Sequence, residues 1–305
     1  MRNLYQSFGI LLLCLFWGGC TQVPEKKDRL YIVTTTGILA DAVKNIVKDS
    51  AYVQTIMGAG VDPHVYKASQ GDLEKFLQAD LIIYGGLHLE GKLTEVLNKL
   101  GRTRPVLGVG DELPKALVRT DSSFATAVDP HIWFDIKIWA EVVDLIAKKI
   151  ISLDKKHANF YKANASSYIE TLLLLDKEVK NMISAIPVHK RVMITAHDAF
   201  NYFGSAYNIE VMGLQGISTT AEFGLRDVSK LVTFILERQI NAIFLETSVS
   251  DRAIKAVIAG VNEKGGKLLI GGNLFSDAMG ASGTPEGTYI GMVKHNVNTI
   301  VKALK

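Results

Sequence analysis

From Asp154 to Ile183 the chain runs for thirty residues without a glycine or a proline, and its apolar residues recur at helical spacing. Phe160, Tyr161, Tyr168, Ile169, Leu172, Leu173 and Val179 carry the pattern. At 1.5 Å per residue a helix of that length reaches about 45 Å, more than the width of one small domain. We therefore read residues 154–184 as a strut joining two lobes. The alternative is a long helix folded back along one lobe.

The segments on either side agree with the strut. Short β-branched runs alternate with helical patterns, which argues for parallel sheets flanked by helices. In the first half the strands are Leu30–Thr34, Tyr52–Met57, Leu81–Tyr84 and Pro105–Val109, with helices near Leu39–Lys48, Leu73–Gln78 and Leu93–Leu100. In the second half the strands are Arg191–Ala196, Ile209–Leu214, Ala242–Glu246 and Lys267–Ile270. Its helices lie near Asp198–Phe203, Leu225–Arg238, Asp251–Val261 and Pro285–Ala303. The expectation is an α/β protein of two lobes, 30–153 and 185–305, each a four-stranded parallel sheet with flanking helices, joined by one long linking helix. A strut of this kind allows modest rocking and loop movement, not a wide hinge opening.

A length of 305 residues suits two domains. The formal net charge of only +3 leaves no electrostatic footprint for nucleic acid. Residues 1–19 have the charged start (Arg2), short apolar core (Phe8 to Trp17) and small-residue exit of an export signal, with a core too short for an ordinary membrane span. The ending Gly18-Gly19-Cys20 resembles a bacterial lipoprotein signal, in which Cys20 becomes the acylated first residue; Trp17 stands where such signals usually carry Leu. Residues 20–29 then read as a tether to the membrane. Cys14 and Cys20 are the only cysteines, so the exported chain has no disulfide and must rest on its core.

The tripeptide Asp-Pro-His occurs twice, at Asp62-Pro63-His64 and Asp129-Pro130-His131. Proline fixes its own φ and pushes the preceding aspartate towards extended geometry, so each histidine is presented from a stiffened loop and loses less freedom on ligation. Imidazole is the commonest metal ligand among side chains. His197, in Ile194-Thr195-Ala196-His197-Asp198, follows a strand, and Asp277, in Phe275-Ser276-Asp277, follows the last one. Ligands of open α/β sheets gather beyond the carboxyl ends of strands, so each lobe can offer two donors to a shared cleft. Three imidazoles and one carboxylate make a closed set, suited to capture; catalytic zinc keeps a position open for water. Glu246, at the end of a strand, can orient an imidazole from behind or cap a loop. His88 follows a strand but reads as a packing residue, and His157, His189 and His295 as surface residues. Asp62 and Asp129 read as turn formers.

Three segments carry a resemblance. They are Ala196-His197-Asp198-Ala199-Phe200-Asn201-Tyr202-Phe203, Gly213-Leu214-Gln215-Gly216-Ile217-Ser218-Thr219 and Leu274-Phe275-Ser276-Asp277-Ala278-Met279-Gly280. Through them the chain resembles the solute-binding receptors of metal-ion ATP-binding-cassette (ABC) importers, the TroA-like family, over essentially everything after the tether. The resemblance implies two α/β lobes joined by one helix, with the metal held between them by His64, His131, His197 and Asp277. It implies a lipid-anchored extracytoplasmic receptor, monomeric, that delivers Zn2+ or Mn2+ to a permease with a cytoplasmic ATPase. Manganese-preferring members often carry Glu where this chain has His197, and many zinc-preferring members have a His-rich acidic loop between the first two ligands; neither feature is present. Imidazole donors and the Irving–Williams order favour zinc over manganese.

Other chemistries find little purchase. Gly108-Val109-Gly110 lacks the third glycine of a dinucleotide fingerprint, and Gly265-Gly266-Lys267 is followed by Leu268 where a P-loop needs Ser or Thr. There is no H-E-x-x-H and no nucleophile elbow. Two rival classes remain: a secreted zinc-dependent hydrolase, which needs a metal-bound water and a general base, and a surface adhesin with a structural metal.

Overall fold

The computed structural model describes residues 29–121, 127–220 and 223–305. The expected export signal, Cys20 and all of the tether except Arg29 lie outside the described residues.

The first lobe runs β1 (Tyr31–Thr34), α1 (Gly37–Val47), β2 (Tyr52–Thr55), α2 (Gln70–Gln78), β3 (Leu81–Tyr84), α3 (Leu93–Leu100) and β4 (Val106–Gly108). Its four strands are parallel in the order β2-β1-β3-β4. Leu81, Ile82, Ile83 and Tyr84 are all buried, the continuous apolar run expected of a strand covered by helices on both faces. Polar residues set where the helices start. Thr36 Oγ1 accepts from Leu39 N–H at the head of α1, and Ser69 and Asp72 close a reciprocal capping box at the head of α2.

After a short antiparallel hairpin, β5 (Thr120–Asp121) and β6 (Ala127–Val128), come α4 (Ile136–Leu153) and α5 (Ala158–Ser184). Helix α4 is not among the helices expected from the sequence. Its inner face of Ile136, Ile138, Trp139, Val142, Val143, Ile146 and Ile150 is largely β-branched, a composition that favours strands locally. Burial and the Asp135 cap, which accepts from Lys137 and Ile138 N–H, override that preference.

The second lobe follows as β7 (Val192–His197), α6 (Asn201–Tyr207), β8 (Glu210–Gln215), α7 (Leu225–Glu237), β9 (Ala242–Glu246), α8 (Arg252–Glu263), β10 (Leu269–Leu274) and α9 (Tyr289–Leu304). Its strands form two parallel pairs, β8-β7 and β9-β10. β7 lies beside β9, so the order across the lobe, β8-β7-β9-β10, repeats that of the first. Helix α6 begins three residues later than expected, because Asp198 to Phe200 stay in a turn that carries the chain away from β7.

In each lobe the chain leaves its first strand to one side and returns on the other. Both lobes thus open a crevice beyond the carboxyl ends of their central pair, β1/β3 and β7/β9, where such sheets bind ligands. A buried glutamate occupies each. Glu90 accepts from Thr35 Oγ1 at 2.7 Å and Gly85 N–H at 2.6 Å, and burial raises its carboxyl to about 7. Glu246 accepts from His197 N–H at 2.9 Å.

Helix α5 packs against α1 and α4 of one lobe and α6 and α9 of the other. Its buried apolar face is Tyr161, Ala165, Tyr168, Leu172, Leu175, Val179 and Ile183, spaced three or four residues apart. Phe160 and Leu173, counted with the apolar pattern in the sequence, point outward. Tyr168 donates to Asp41 on α1 at 2.9 Å, and Tyr207 at the end of α6 donates to Asp176 at 3.1 Å. The helix is pinned to both lobes. One continuous apolar core links Ile32 and Ile83 through Trp139 and Leu172 to Phe200, Phe244 and Leu274.

This packing separates neighbouring leucines of α5. Leu172→Ala, at 0% exposure, is expected to lower unfolding free energy by about 2–4 kcal/mol in urea titrations. Leu174→Ala, at 65% exposure, is expected to change it by less than about 0.5 kcal/mol. Equal losses would show that the inward face is misassigned.

Candidate metal centre

Each Asp-Pro-His tripeptide folds as an Asx turn. Asp62 Oδ1 accepts from His64 N–H at 2.8 Å, and Asp129 Oδ1 from His131 N–H at 3.0 Å. The turns fix where each histidine leaves the backbone. Gly91, with φ of +49°, passes so close to His64 that a Cβ there would overlap its carbonyl oxygen. On the other side Gly213 of β8 lies against the backbone of His197 and Asp198, where a Cβ would collide.

His64, His131, His197 and Asp277 converge, with one ligand atom of each within 4.8 Å of all the others. His64 Nε2 stands 3.3 Å from His131 Nε2. Asp277 Oδ1 is 3.3 Å from His131 Nε2, and its Oδ2 lies 3.3 Å from His197 Nε2 and 3.9 Å from His64 Nε2. Donors about 2.0–2.1 Å from a common zinc centre stand about 3.3 Å apart at tetrahedral corners, so the observed spacing is that of a ligand shell. The site is dry. His131 and His197 are 0% exposed, Asp277 1% and His64 4%.

Both oxygens of Asp277 are buried, and neither accepts a hydrogen bond from a backbone N–H or a hydroxyl. A carboxylate taken out of water without donors is costly, and a cation among the facing nitrogens is what would compensate it. The second ring nitrogens of two histidines face carboxylates. His131 Nδ1 is 2.8 Å from Asp129 Oδ1, and His197 Nδ1 is 2.6 Å from Glu246 Oε2. Those partners orient the rings with Nε2 inward and fix the neutral tautomer that a metal needs.

Charge in the cluster follows from this. Burial disfavours the imidazolium of His131, but Asp129 and Asp277 outweigh it and hold His131 up at about 9. Burial is likewise outweighed at His197, where Glu246 and Asp277 raise the pKa well above the ordinary value. His64 lacks that support and is pushed down to about 3, chiefly by burial. Burial opposes ionisation of Asp277, yet His197, His131 and His64 hold its carboxyl well below the usual range.

Several residues that the sequence did not single out build the frame. Trp133 donates from its indole N–H to Ser276 C=O at 3.1 Å and packs edge-on to His131, tying two ligand loops together. Asn296 of α9 holds Phe275 by both backbone groups, at 2.9 and 2.7 Å. Asp129 does more than form a turn, since it also faces the ring of its own histidine. The sequence signal for that is the motif itself, an aspartate two residues before a ligand. His88 is exposed, away from the cluster; His157 pairs with Asp154 at 2.7 Å, His189 is exposed and His295 half-buried.

The model of the family described as "Zinc-uptake complex component A periplasmic" (ZnuA) matches residues 32–303. The manganese-binding lipoprotein MntA of Bacillus subtilis (strain 168) is 48% identical over 278 residues, 91% of this chain and 90% of its own. The zinc-binding protein TroA of Treponema pallidum (strain Nichols) is 44% identical over 275 residues, 90% of this chain and 88% of its own. A solved structure of the periplasmic zinc-binding protein TroA from Treponema pallidum superposes with a TM-score of 0.88 at 43% identity, covering 90% of this chain and 99% of that one. With two lobes, an interlobe cluster of three imidazoles and a carboxylate, and matches that span nearly its whole length, the chain belongs to the ZnuA/TroA-like family of solute-binding receptors for metal-ion ABC importers.

Proposed function

We propose that this receptor takes up a free divalent metal, zinc first, on His64, His131, His197 and Asp277, and releases it to a membrane permease driven by a cytoplasmic ATPase. The observation that carries the reading is the pair of undonated, buried oxygens of Asp277 facing three imidazole nitrogens. Glu246 and Asp129 act by orienting His197 and His131. Those carboxylates are engaged with imidazoles, which argues against a hydrolase, where a free general base has to meet a metal-bound water. The family itself is one of receptors, not enzymes.

Zinc is favoured by the nitrogen-rich donor set and by donor spacing that suits a tetrahedral centre. Manganese is the second reading. It rests on the 48% identity to a manganese-binding lipoprotein and on Asp277, whose two oxygens both face the cluster and could raise the coordination number. Elemental analysis of protein purified without added metal, then competition between zinc and manganese, decides between them. Tight retention of manganese over zinc would reverse the order.

The same reading places the chain outside the cytoplasm, monomeric and held by a lipid on Cys20. Relatives named as lipoproteins support the anchor, and no helix among the described residues is long and apolar enough to cross a membrane. It assigns 1–19 to the signal, 20–29 to the tether, 30–153 and 185–305 to the lobes and 154–184 to the linking helix. Mass spectrometry of the membrane-extracted protein tests the anchor, and an unmodified Cys20 would remove it.

Three further outcomes are expected. His131→Ala loses at least about tenfold in metal affinity by competition titration, whereas His157→Ala leaves it unchanged; equal effects would discredit the ligand set. Glu246→Gln lowers affinity by about ten- to a hundredfold while binding stoichiometry stays at one metal per chain, and an unaltered affinity would show that Glu246 does not orient His197. Metal must also displace the protons on His131 and His197, whose pKa values are raised by carboxylates, so affinity rises with pH up to about 9 and falls in acid. Calorimetry in buffers of different ionisation enthalpy should count about two protons released near pH 7; a count of none would contradict the charge assignment.

A further inference from the structure

The two Asp-Pro-His turns share a design that neither ligation nor turn formation requires. In each, one carboxylate oxygen of the aspartate caps the ligand histidine and the other crosses the seam to the second lobe. Asp129 Oδ2 accepts from Asn201 Nδ2 at 3.2 Å, and Asp62 Oδ2 accepts from Thr219 Oγ1 at 2.6 Å. Position and lobe contact are thus coupled in one side chain.

The two crossings differ in strength. Asp129 is buried, faces the His131 ring as well as its N–H, and is tied again through its own carbonyl, which accepts from Tyr202 O–H at 3.1 Å. Tyr202 O–H also accepts from Arg119 N–H at 2.9 Å, and Arg119 reaches Ser205. The His131 arm is bolted to α6. Asp62 is half-buried and sits in a loop whose Gly58, Ala59, Gly60, Val65 and Lys67 are exposed. Among the described residues its cross-seam hydrogen bond is to the hydroxyl of Thr219, itself half-buried on the loop after β8. His64 is also the ligand with the largest exposure.

We infer that the Asp62–Thr219 hydrogen bond is the latch of the site: it holds the His64 arm closed over the ion, so that His64 is the ligand that leaves first on release and returns last on capture. The inference rests on the metal-site reading above. While the latch is made, Asp62 presents His64 Nε2 to the other three donors. When it parts, the exposed loop can swing with His64 while His131, His197 and Asp277 stay in their frame. A hydrogen bond to a charged acceptor is strong enough to set such a rate and weak enough to break on the timescale of loop motion.

Zinc dissociation from the loaded protein, followed after mixing with excess chelator, tests this. Thr219→Val removes the hydroxyl at nearly constant volume and is expected to speed dissociation about tenfold, from the loss of one hydrogen bond to a carboxylate. Thr219→Ser, which keeps the hydroxyl, is expected to restore the wild-type rate, and Thr219→Ala provides the same deletion should valine disturb the loop. In a His64→Ala background the valine change is expected to add nothing, because the latch acts only through His64. An unchanged rate in both Thr219→Val and Thr219→Ala would overturn the latch, as would an equal acceleration with His64 absent, which would mark a general structural role. If the wild-type protein takes up no zinc or manganese, the site reading falls and the latch with it; normal uptake with unaltered release kinetics removes the latch alone.

Discussion

A carboxylate buried without donors is the term around which this molecule is arranged. Asp277 has both oxygens out of water and no backbone N–H or hydroxyl donating to them, and three imidazole nitrogens stand at 3.3–3.9 Å. Such a group is tolerable only where positive charge is close. The carboxylates around His131 and His197 favour protons on both rings, and on the proposed reading a divalent ion would take the place of that charge.

Convergence of those four groups requires two sheets to face each other at their carboxyl ends. The repeated strand order makes this possible, because each lobe opens its crevice beyond the central strand pair, and the lobes contribute two donors each. At these points the two glutamates differ in role. Glu90 satisfies backbone N–H groups of its own lobe, whereas Glu246 reaches both the backbone and the ring of His197. A carboxylate in the crevice stabilises strand tips in one lobe and a candidate ligand in the other.

Much of this was legible in the sequence, and the reasons are local. The strand Leu81–Tyr84 was readable because four consecutive apolar residues after an Ala-Asp turn leave little alternative. The four clustered side chains were readable because each stands just beyond a strand or in a proline-stiffened loop. Non-local effects were not. Helix α4 overrides its β-branched composition by burial against α1 and α5, and Leu173 faces solvent although it shares the apolar run of the linking helix. The roles of Trp133 and Asn296 arise from contacts across 143 and 21 residues. No spacing rule in the sequence brings such partners together.

How the ion is released follows from what cannot move. The apolar core runs unbroken from β1 through α4 and α5 to β9 and β10, and α5 is hydrogen-bonded to both lobes. Separating the lobes as rigid bodies would expose that core and its aromatic side chains to water, at a cost that grows with every square ångström uncovered. The segment bearing His64 carries less of it: Gly58 to Gly60, Val65 and Lys67 are exposed, and its Asp62 reaches the other lobe through the Thr219 hydroxyl. Motion follows the path of least buried area. On the proposed reading, a continuous spine leaves capture and release to loop movement and at most modest rocking of the lobes.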